Sequence, residues 1–443
     1  NNENDLEKAI FKICDNYEFY KTNILKNYKL FDYTLSSEKY LDVFDKLCIN
    51  NLLFQRKINF VGEVSIKFNY FSKSISILKI NDIFVYIQNG LNNIIIKLKN
   101  NEENILSIYG IENNNENIIS NLEISTYKNN KIDNNKINIL LCSDENYFVG
   151  LFACLCSVIK NTNSNNLNKL IFNFIVPLKS SKKLYFYMKQ FLQILKVEIK
   201  LVIIYFDNNC IPDIIKISKC FNGGNHLLNV GNFSRLLIGN LFNYEKLLYL
   251  DSDSIVTNDI IDKIDNINDN YVLVSPKANK YNKNNEKQII IKLKNILNEN
   301  YDFKKNLNLN INFDDYCFFG APFFTNCKYW NNLDNKIYNI IELHNNNHDG
   351  IYKLFTMSIQ NLLFLNNTKN LNEYITCLSD LGSDRKNWSD EDIRNSDILD
   401  WSGVYKPWFI NGLYKNYWIK YDILNLSKNY FISKVKNSIE SFV

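Results

Sequence analysis

The chain is poor in the residues that punctuate or specialise a fold. It has 5 Pro and 13 Gly in 443 residues, and its only 3 His stand at 226, 344 and 348. The 10 Cys include no CxxC pair and no zinc-ligand spacing. Cys142, Cys154 and Cys156 fall inside apolar runs, where a thiol behaves as a small hydrophobe, so the count requires no oxidising compartment. Long hydrophobic runs are missing too. The longest, Tyr147 to Ile159, is well short of the roughly 20 residues that span a bilayer. No leader is visible, but the chain opens at Asn1 rather than Met, which leaves room for an upstream targeting segment or membrane anchor. A net charge of +4 is close to balance, and no basic stripe interleaved with aromatics marks a nucleic-acid partner. The histidines offer little. His344 and His348 have i, i+4 spacing, but Asn345-Asn346-Asn347 between them favours a loop over a metal-binding helix face; His226 reads as structural.

What is present suffices for a core: 46% hydrophobic residues and 14% aromatics, in a length that predicts two or three compact units. The Asn, Lys and Ile bias reads as compositional drift, and runs such as Asn113-Asn114-Asn115 as loops. Leu6, Ile10, Ile13 and Cys14, then Leu41, Phe44, Leu47 and Cys48, have helical spacing, so residues 1–56 are expected to be a helical segment. Short alternating runs follow at Val64–Phe68, Ile75–Ile80 and Ile94–Leu98, which predict a small antiparallel β module over 57–130. A polar stretch from Lys128 to Lys136 reads as a linker.

From Ile137 strands and helices alternate. Strands are predicted at Ile137–Cys142, Leu170–Val176, Val197–Phe206 and Lys246–Leu250, with helices at Tyr147–Lys160, about 181–195 and Phe233–Asn240. Such alternation implies a right-handed parallel α/β sheet, here a unit over 137–443 with an Asn- and Lys-rich surface insertion at about 277–310. In open sheets of this kind ligands bind beyond the carboxyl ends of the strands. Two polar clusters fall at such ends: Ser143-Asp144-Glu145-Asn146, and Asp251-Ser252-Asp253 after the apolar Leu247–Leu250. In extended backbone, side chains i and i+2 share a face, so Asp251 and Asp253 address one point. Paired carboxylates there suit a hard divalent cation with positions left for phosphate. The similar Asp390-Glu391-Asp392 lies in a polar stretch with no strand before it and reads as solvated surface.

Four pieces, in order, resemble the family-8 retaining glycosyltransferases, a family that includes glycogenins, lipopolysaccharide galactosyltransferases and plant galacturonosyltransferases. They are Ser143-Asp144-Glu145-Asn146-Tyr147; Phe233-Ser234-Arg235; Lys246 through Asp253; and Trp401-Ser402-Gly403-Val404-Tyr405-Lys406-Pro407-Trp408. The resemblance covers roughly residues 137–418 and implies a GT-A fold, a Rossmann-like mixed sheet flanked by helices. It also implies an enzyme that uses a UDP-sugar donor, Mn2+ or Mg2+, and a carbohydrate or protein acceptor. By the same carry-over Asp251, Asp253 and Asp400 would hold the ion. Asp144, Asn146 and Tyr147 would contact the uridine, while Arg235, Gly403 and Lys406 would serve the sugar diphosphate. Each has a plainer reading beside this one. Asp144 suits the N-cap of the helix starting near Tyr147; Arg235 and Lys406 could be solvated; Trp401 and Trp408 could be packing.

Three departures from the family pattern stand out. Asp400 occupies the place of a metal-binding histidine, which makes the ligand set all carboxylate. Phe319-Gly320-Ala321 replaces Asn-Ala-Gly on the sugar-facing strand, and Ile359-Gln360-Asn361 replaces Asp-Gln-Asp, keeping Gln360 as the catalytic candidate. With no flanking acid to act as nucleophile, a front-face reaction fits, in which the departing phosphate assists the acceptor and Gln360 steadies positive charge on the sugar. The expectation is a metal-dependent retaining hexosyl- or uronosyltransferase of the Golgi or ER lumen, with a cytoplasmic location as the alternative. A catalytically degenerate nucleotide-sugar or glycan binder, or a structural subunit, is the alternative function. Sequons at Asn232, Asn366, Asn387 and Asn425 carry no weight in so Asn-rich a chain.

Overall fold

The computed structural model describes seven strands between residues 52 and 126 and most of 131–428; residues 1–51, 207–229, 429–443 and several short connections lie outside the described residues. The first strands are β1 (Leu52–Ile58), β2 (Gly62–Phe71), β3 (Ser76–Ile80), β4 (Ile83–Ile87), β5 (Gly90–Leu98), β6 (Asn104–Gly110) and β7 (Ile118–Thr126). Then come β8 (Ile137–Cys142), α1 (Phe148–Asn161), β9 (Leu170–Pro177), α2 (Ser181–Leu195) and β10 (Lys200–Phe206). β11 (Lys246–Leu250), β12 (Ser254–Val256) and β13 (Leu273–Ser275) follow, with a hairpin of β14 (Asn279–Asn282) and β15 (Lys287–Ile290) and then β16 (Phe323–Thr325). The remaining elements used below are α3 (Asp334–Asn346), α4 (Phe355–Phe364), β17 (Thr368–Asn370), β18 (Cys377–Leu378) and β19 (Ile398–Asp400).

Ten strands form one mixed sheet in the order β17-β13-β16-β11-β8-β9-β10-β5-β2-β7, parallel from β11 through β5. Its central strands read as near-continuous apolar runs because both faces are covered. One core lies with α1 and α2; the other gathers residues such as Phe323, Trp330 and Ile340 on the opposite side. α1 is hydrophobic nearly all round, with Phe148 to Ile159 buried, as a helix enclosed by core must be. This flanked α/β sheet is the fold class that the sequence predicts.

The predicted β module is not set apart. Its β5 pairs in parallel with β10, Val202 opposite Leu91 through Phe206 opposite Ile95, and carries β2 and β7 into the main sheet. Ile94 joins one core and Ile95 the other, so β5 is buried on both faces. Of the seven strands between residues 52 and 126, β1, β6, β3 and β4 form a separate antiparallel sheet in that order. Of the helical segment predicted over residues 1–56, Leu52 to Arg56 lie in β1, whose pairing with β6 outweighs local spacing; the rest of that segment, like His226 and His348, lies outside the described residues. The predicted linker is pinned at Ile132, which exchanges backbone hydrogen bonds with Leu241 and Asn243. The 277–310 stretch is more than a surface insertion: Leu293, Ile296, Leu297 and Phe303 are buried in the second core. The helix predicted at Phe233–Asn240 is three short turns spanning Val230 to Leu241. His344 lies on α3 rather than in a loop, buried and stacked on Tyr352. No helix among the described residues is long and apolar enough to cross a membrane.

Candidate active site

β8 and β11 are neighbours in the sheet, so their carboxyl ends open on the same edge. The chain leaves β11 through a tight turn in which Ser254 N–H donates to the Asp251 carbonyl. Ser252 Oγ donates to the Cys142 carbonyl at 3.0 Å, tying that turn to the end of β8. α1 runs beneath it. Gly150 passes so close that a Cβ there would overlap the Ser252 carbonyl and sit 2.9 Å from the Trp408 ring. The short sheet β12-β19-β18 then brings Asp400 opposite Ser254.

Asp251, Asp253 and Asp400 converge, each offering a carboxylate oxygen within 4.8 Å of the others. Around them opens a cleft of about 250 Å³ lined by Asp144, Tyr147, Asn232, Arg235, Asp251, Asp253, Gly403 and Lys406, among others. Arg235 Nη2 meets Asp251 Oδ1 at 2.8 Å, and the same oxygen accepts the Tyr249 hydroxyl at 2.9 Å. The guanidinium lies 4.5 Å above the Tyr249 ring and also donates to the Gly320 carbonyl and to Asn232. Lys406 Nζ bonds Asp253 Oδ2 and, at 2.8 Å, the Trp401 carbonyl. Asp400 accepts Ser254 Oγ at 2.7 Å on one oxygen and Ser402 Oγ on the other.

The charge state follows from burial and neighbours. Asp400 is fully buried, and burial, then Asp253 and Asp251, push its carboxyl up to about 8 against the opposing serine hydroxyls. Burial opposes charge on Arg235 and Lys406 too. Asp251 and Asp253 respectively overcome it, and both cations hold their protons more tightly than usual. Burial raises the Asp144 carboxyl above its ordinary value.

Most of the residues singled out in the sequence meet here, with refinements. Asn146 does not line the cleft; its backbone N–H donates to Asp144 Oδ1 at 2.9 Å, so Asp144 is an N-cap as well as a cleft residue. Gly403 has φ +113° and passes against Gly382, whose carbonyl accepts the Tyr405 N–H at 2.9 Å. Glycine is demanded there by backbone geometry alone. Gln360 stands behind the cleft wall on α4, 2% exposed, with both amide atoms lacking a hydrogen-bond partner among the described residues. Its Oε1 would lie 3.0 Å from a Cβ added to Gly320, the residue whose carbonyl holds Arg235. Trp401 and Trp408 are buried packing residues. Asp390 and Glu391 are exposed on a short capped helix, as solvated surface. Sequence reasoning missed Tyr249, Ser254, Ser402 and Asn232 as partners of the acids and of Arg235. The two serines lie within two residues of an acid, which is the only local signal they give.

A sequence profile described as glycosyl transferase family 8 matches residues 138–412. The chain belongs to that family. The matched residues take in the ends of β8 and β11 with Asp144, Asp251 and Asp253, as well as Asp400 and Lys406. Among solved structures, the apo bifunctional glycosyltransferase WbbM is similar at 17% identity and TM-score 0.46, over 74% of this chain and 54% of that one. The glycosyltransferase GlyE of Streptococcus pneumoniae TIGR4 gives 17%, 0.38, 68% and 64% in the same measures. LgtC, a galactosyltransferase solved with donor and acceptor sugar analogues, gives 15%, 0.42, 65% and 95%. The chain thus spans about half of WbbM and under two thirds of GlyE. No curated protein matches it.

Proposed function

We propose that this family 8 glycosyltransferase moves a hexosyl or uronosyl group from a UDP-sugar to a glycan or protein acceptor, with retention and with a divalent ion, Mn2+ or Mg2+. The observation that carries the reading is the convergence of Asp251, Asp253 and Asp400 beside Arg235 and Lys406 in one cleft. The donor set fits the ion: every ligand is an oxygen, as hard cations require, and Asp251 Oδ2 and Asp253 Oδ1 lie outside the hydrogen bonds that fix their partner oxygens. Bound there, the ion would supply Lewis-acid stabilisation of the leaving diphosphate.

The chain's own residues do the rest. Asp144 and Tyr147 form the wall proposed for the uridine, with the Asn146 backbone fixing Asp144. Arg235 and Lys406 bring two positive charges to where the diphosphate gains negative charge, in a site screened from water. Gln360 lies behind the cleft wall with its Oε1 against Gly320, whose carbonyl holds Arg235, so its proposed part is to steady the sugar-facing wall from behind. With no acid beside Gln360 to form a covalent intermediate, the reaction runs on positioning and electrostatics at one face.

The test is UDP-sugar hydrolysis across several donors with and without Mn2+, alongside calorimetric titration of UDP. The reading expects slow, metal-dependent hydrolysis that Asp253→Ala abolishes. Absence of hydrolysis across UDP-glucose, UDP-galactose and the uronic acid donors, with metal-dependent UDP binding retained, would leave a binder and not an enzyme.

A further inference from the structure

Both cleft cations are already engaged. Arg235 spreads its fork over Asp251, the Gly320 carbonyl and Asn232, and its side chain is only 7% exposed, so it is held by the wall. Lys406 differs. It is a point charge on a flexible stem, and it and Asp253 are each 12% exposed in their side chains, with both residues facing the cleft. Its second partner, the Trp401 carbonyl, lies on its own loop. Asp253 therefore has one strong counter-ion, and that counter-ion is the group best placed to meet an anionic ligand.

We propose that Lys406 is a built-in stand-in for the divalent ion: it neutralises Asp253 while the site is metal-free, and turns to a bound diphosphate only once a divalent cation has taken Asp253. The inference rests on the function proposed above. Its content is an exchange of partners. Metal alone must compete with Lys406 for Asp253 and binds weakly. UDP alone meets a lysine already paired and gains nothing from it. Together they bind tightly, and each raises the other's affinity by the same factor.

Calorimetry on the full chain with Mn2+ alone, UDP alone, and each in the presence of the other tests this on the wild type, Lys406→Met and Lys406→Arg. Lys406→Met is expected to bind Mn2+ alone about tenfold more tightly than the wild type, because the competing charge is gone. Its metal-free affinity for UDP should be unchanged, and its affinity for UDP with Mn2+ about tenfold weaker. Lys406→Arg keeps the charge and should follow the wild type with Mn2+ alone. A Lys406→Met protein that binds Mn2+ no better than the wild type overturns the exchange, as does equal loss of UDP affinity with and without metal. Acylation of wild-type lysines read by mass spectrometry gives an answer that needs no variant. Lys406 should be protected without metal, reactive with Mn2+, and protected again with Mn2+ and UDP; reactivity indifferent to Mn2+ overturns the proposal. A wild type that binds neither Mn2+ nor UDP removes the proposed function itself, and this inference with it.

Discussion

Gly150→Ala offers the sharpest test of how the acids are held. Gly150 lies in the first turn of α1, under the turn that carries Asp251 and Asp253. An added methyl would overlap the Ser252 carbonyl, a backbone atom, and meet the Trp408 ring at 2.9 and 3.0 Å. Neither neighbour is a flexible side-chain end. Overpacking of this kind costs about 1–3 kcal/mol, and the gain from replacing a helical glycine offsets at most about 1 kcal/mol of it. A net loss of about 1–2 kcal/mol is expected, read as a fall in Tm. The functional loss should be far larger than the stability loss, because a shift of about 1 Å in a reacting geometry can cost about 100-fold in rate. Gly239→Ala supplies the comparison. Its methyl would strike the Trp330 carbonyl, also backbone, away from the cleft. The two variants should lose similar stability. Per folded molecule, only Gly150→Ala should lose donor hydrolysis and Mn2+ affinity. If Gly150→Ala keeps both while Gly239→Ala falls with it in stability, the α1 contact does not position the acids.

Three further outcomes follow from the same geometry. Asp400 holds its proton to about pH 8 in the metal-free fold but to its ordinary value of 3.8 when unfolded. Its contribution is thus complete below the unfolded value and is lost as pH rises between about 4 and 8; in EDTA, Asp400→Asn should flatten that part of the stability–pH curve, Asp251, Asp253 and Lys406 being the charged groups that face it. Tyr249→Phe keeps the ring stacked 4.9 Å from Phe323 but removes the hydroxyl from Asp251. Mn2+ affinity by calorimetry should fall about 10-fold with little change in Tm, as for other outer partners of metal ligands. Gln360→Leu removes a buried amide that has no hydrogen-bond partner among the described residues and should leave stability equal or raised by about 1 kcal/mol, while turnover of donor to acceptor falls; lost stability together with intact turnover would contradict the proposed role.

The central sheet and the acids were legible because both speak locally. The runs at Ile137–Cys142 and Lys246–Leu250 are short, apolar and bounded, and they are strands at those residues. Asp251 and Asp253 stand out by following such a run. Less local facts were hidden. The Ile94-Ile95-Ile96 run has the texture of a strand covered on both faces, but its neighbour β10 lies more than a hundred residues away, and alternation alone suggested a module on its own. Ser254 and Ser402 look like any serines until β12 and β19 pair and put a buried carboxylate between their hydroxyls. Asn146 is the converse case: the motif match named it for the uridine, and what the structure shows is its backbone N–H fixing Asp144 Oδ1.

The cleft is assembled from four stretches, and the last of them, carrying Asp400 and Lys406, comes some 150 residues after the acid pair. On the ribosome, Asp251 and Asp253 emerge long before the lysine that neutralises one of them and the strand that completes their trio. A chain broken off before β19 therefore keeps all ten strands of the central sheet and the Arg235 partner of Asp251, yet leaves Asp253 without its counter-ion. Such a chain also lacks Ile398, Leu399, Trp401, Trp408 and Trp418 of the first core, so it is expected to fold poorly as well as to lack the completed trio.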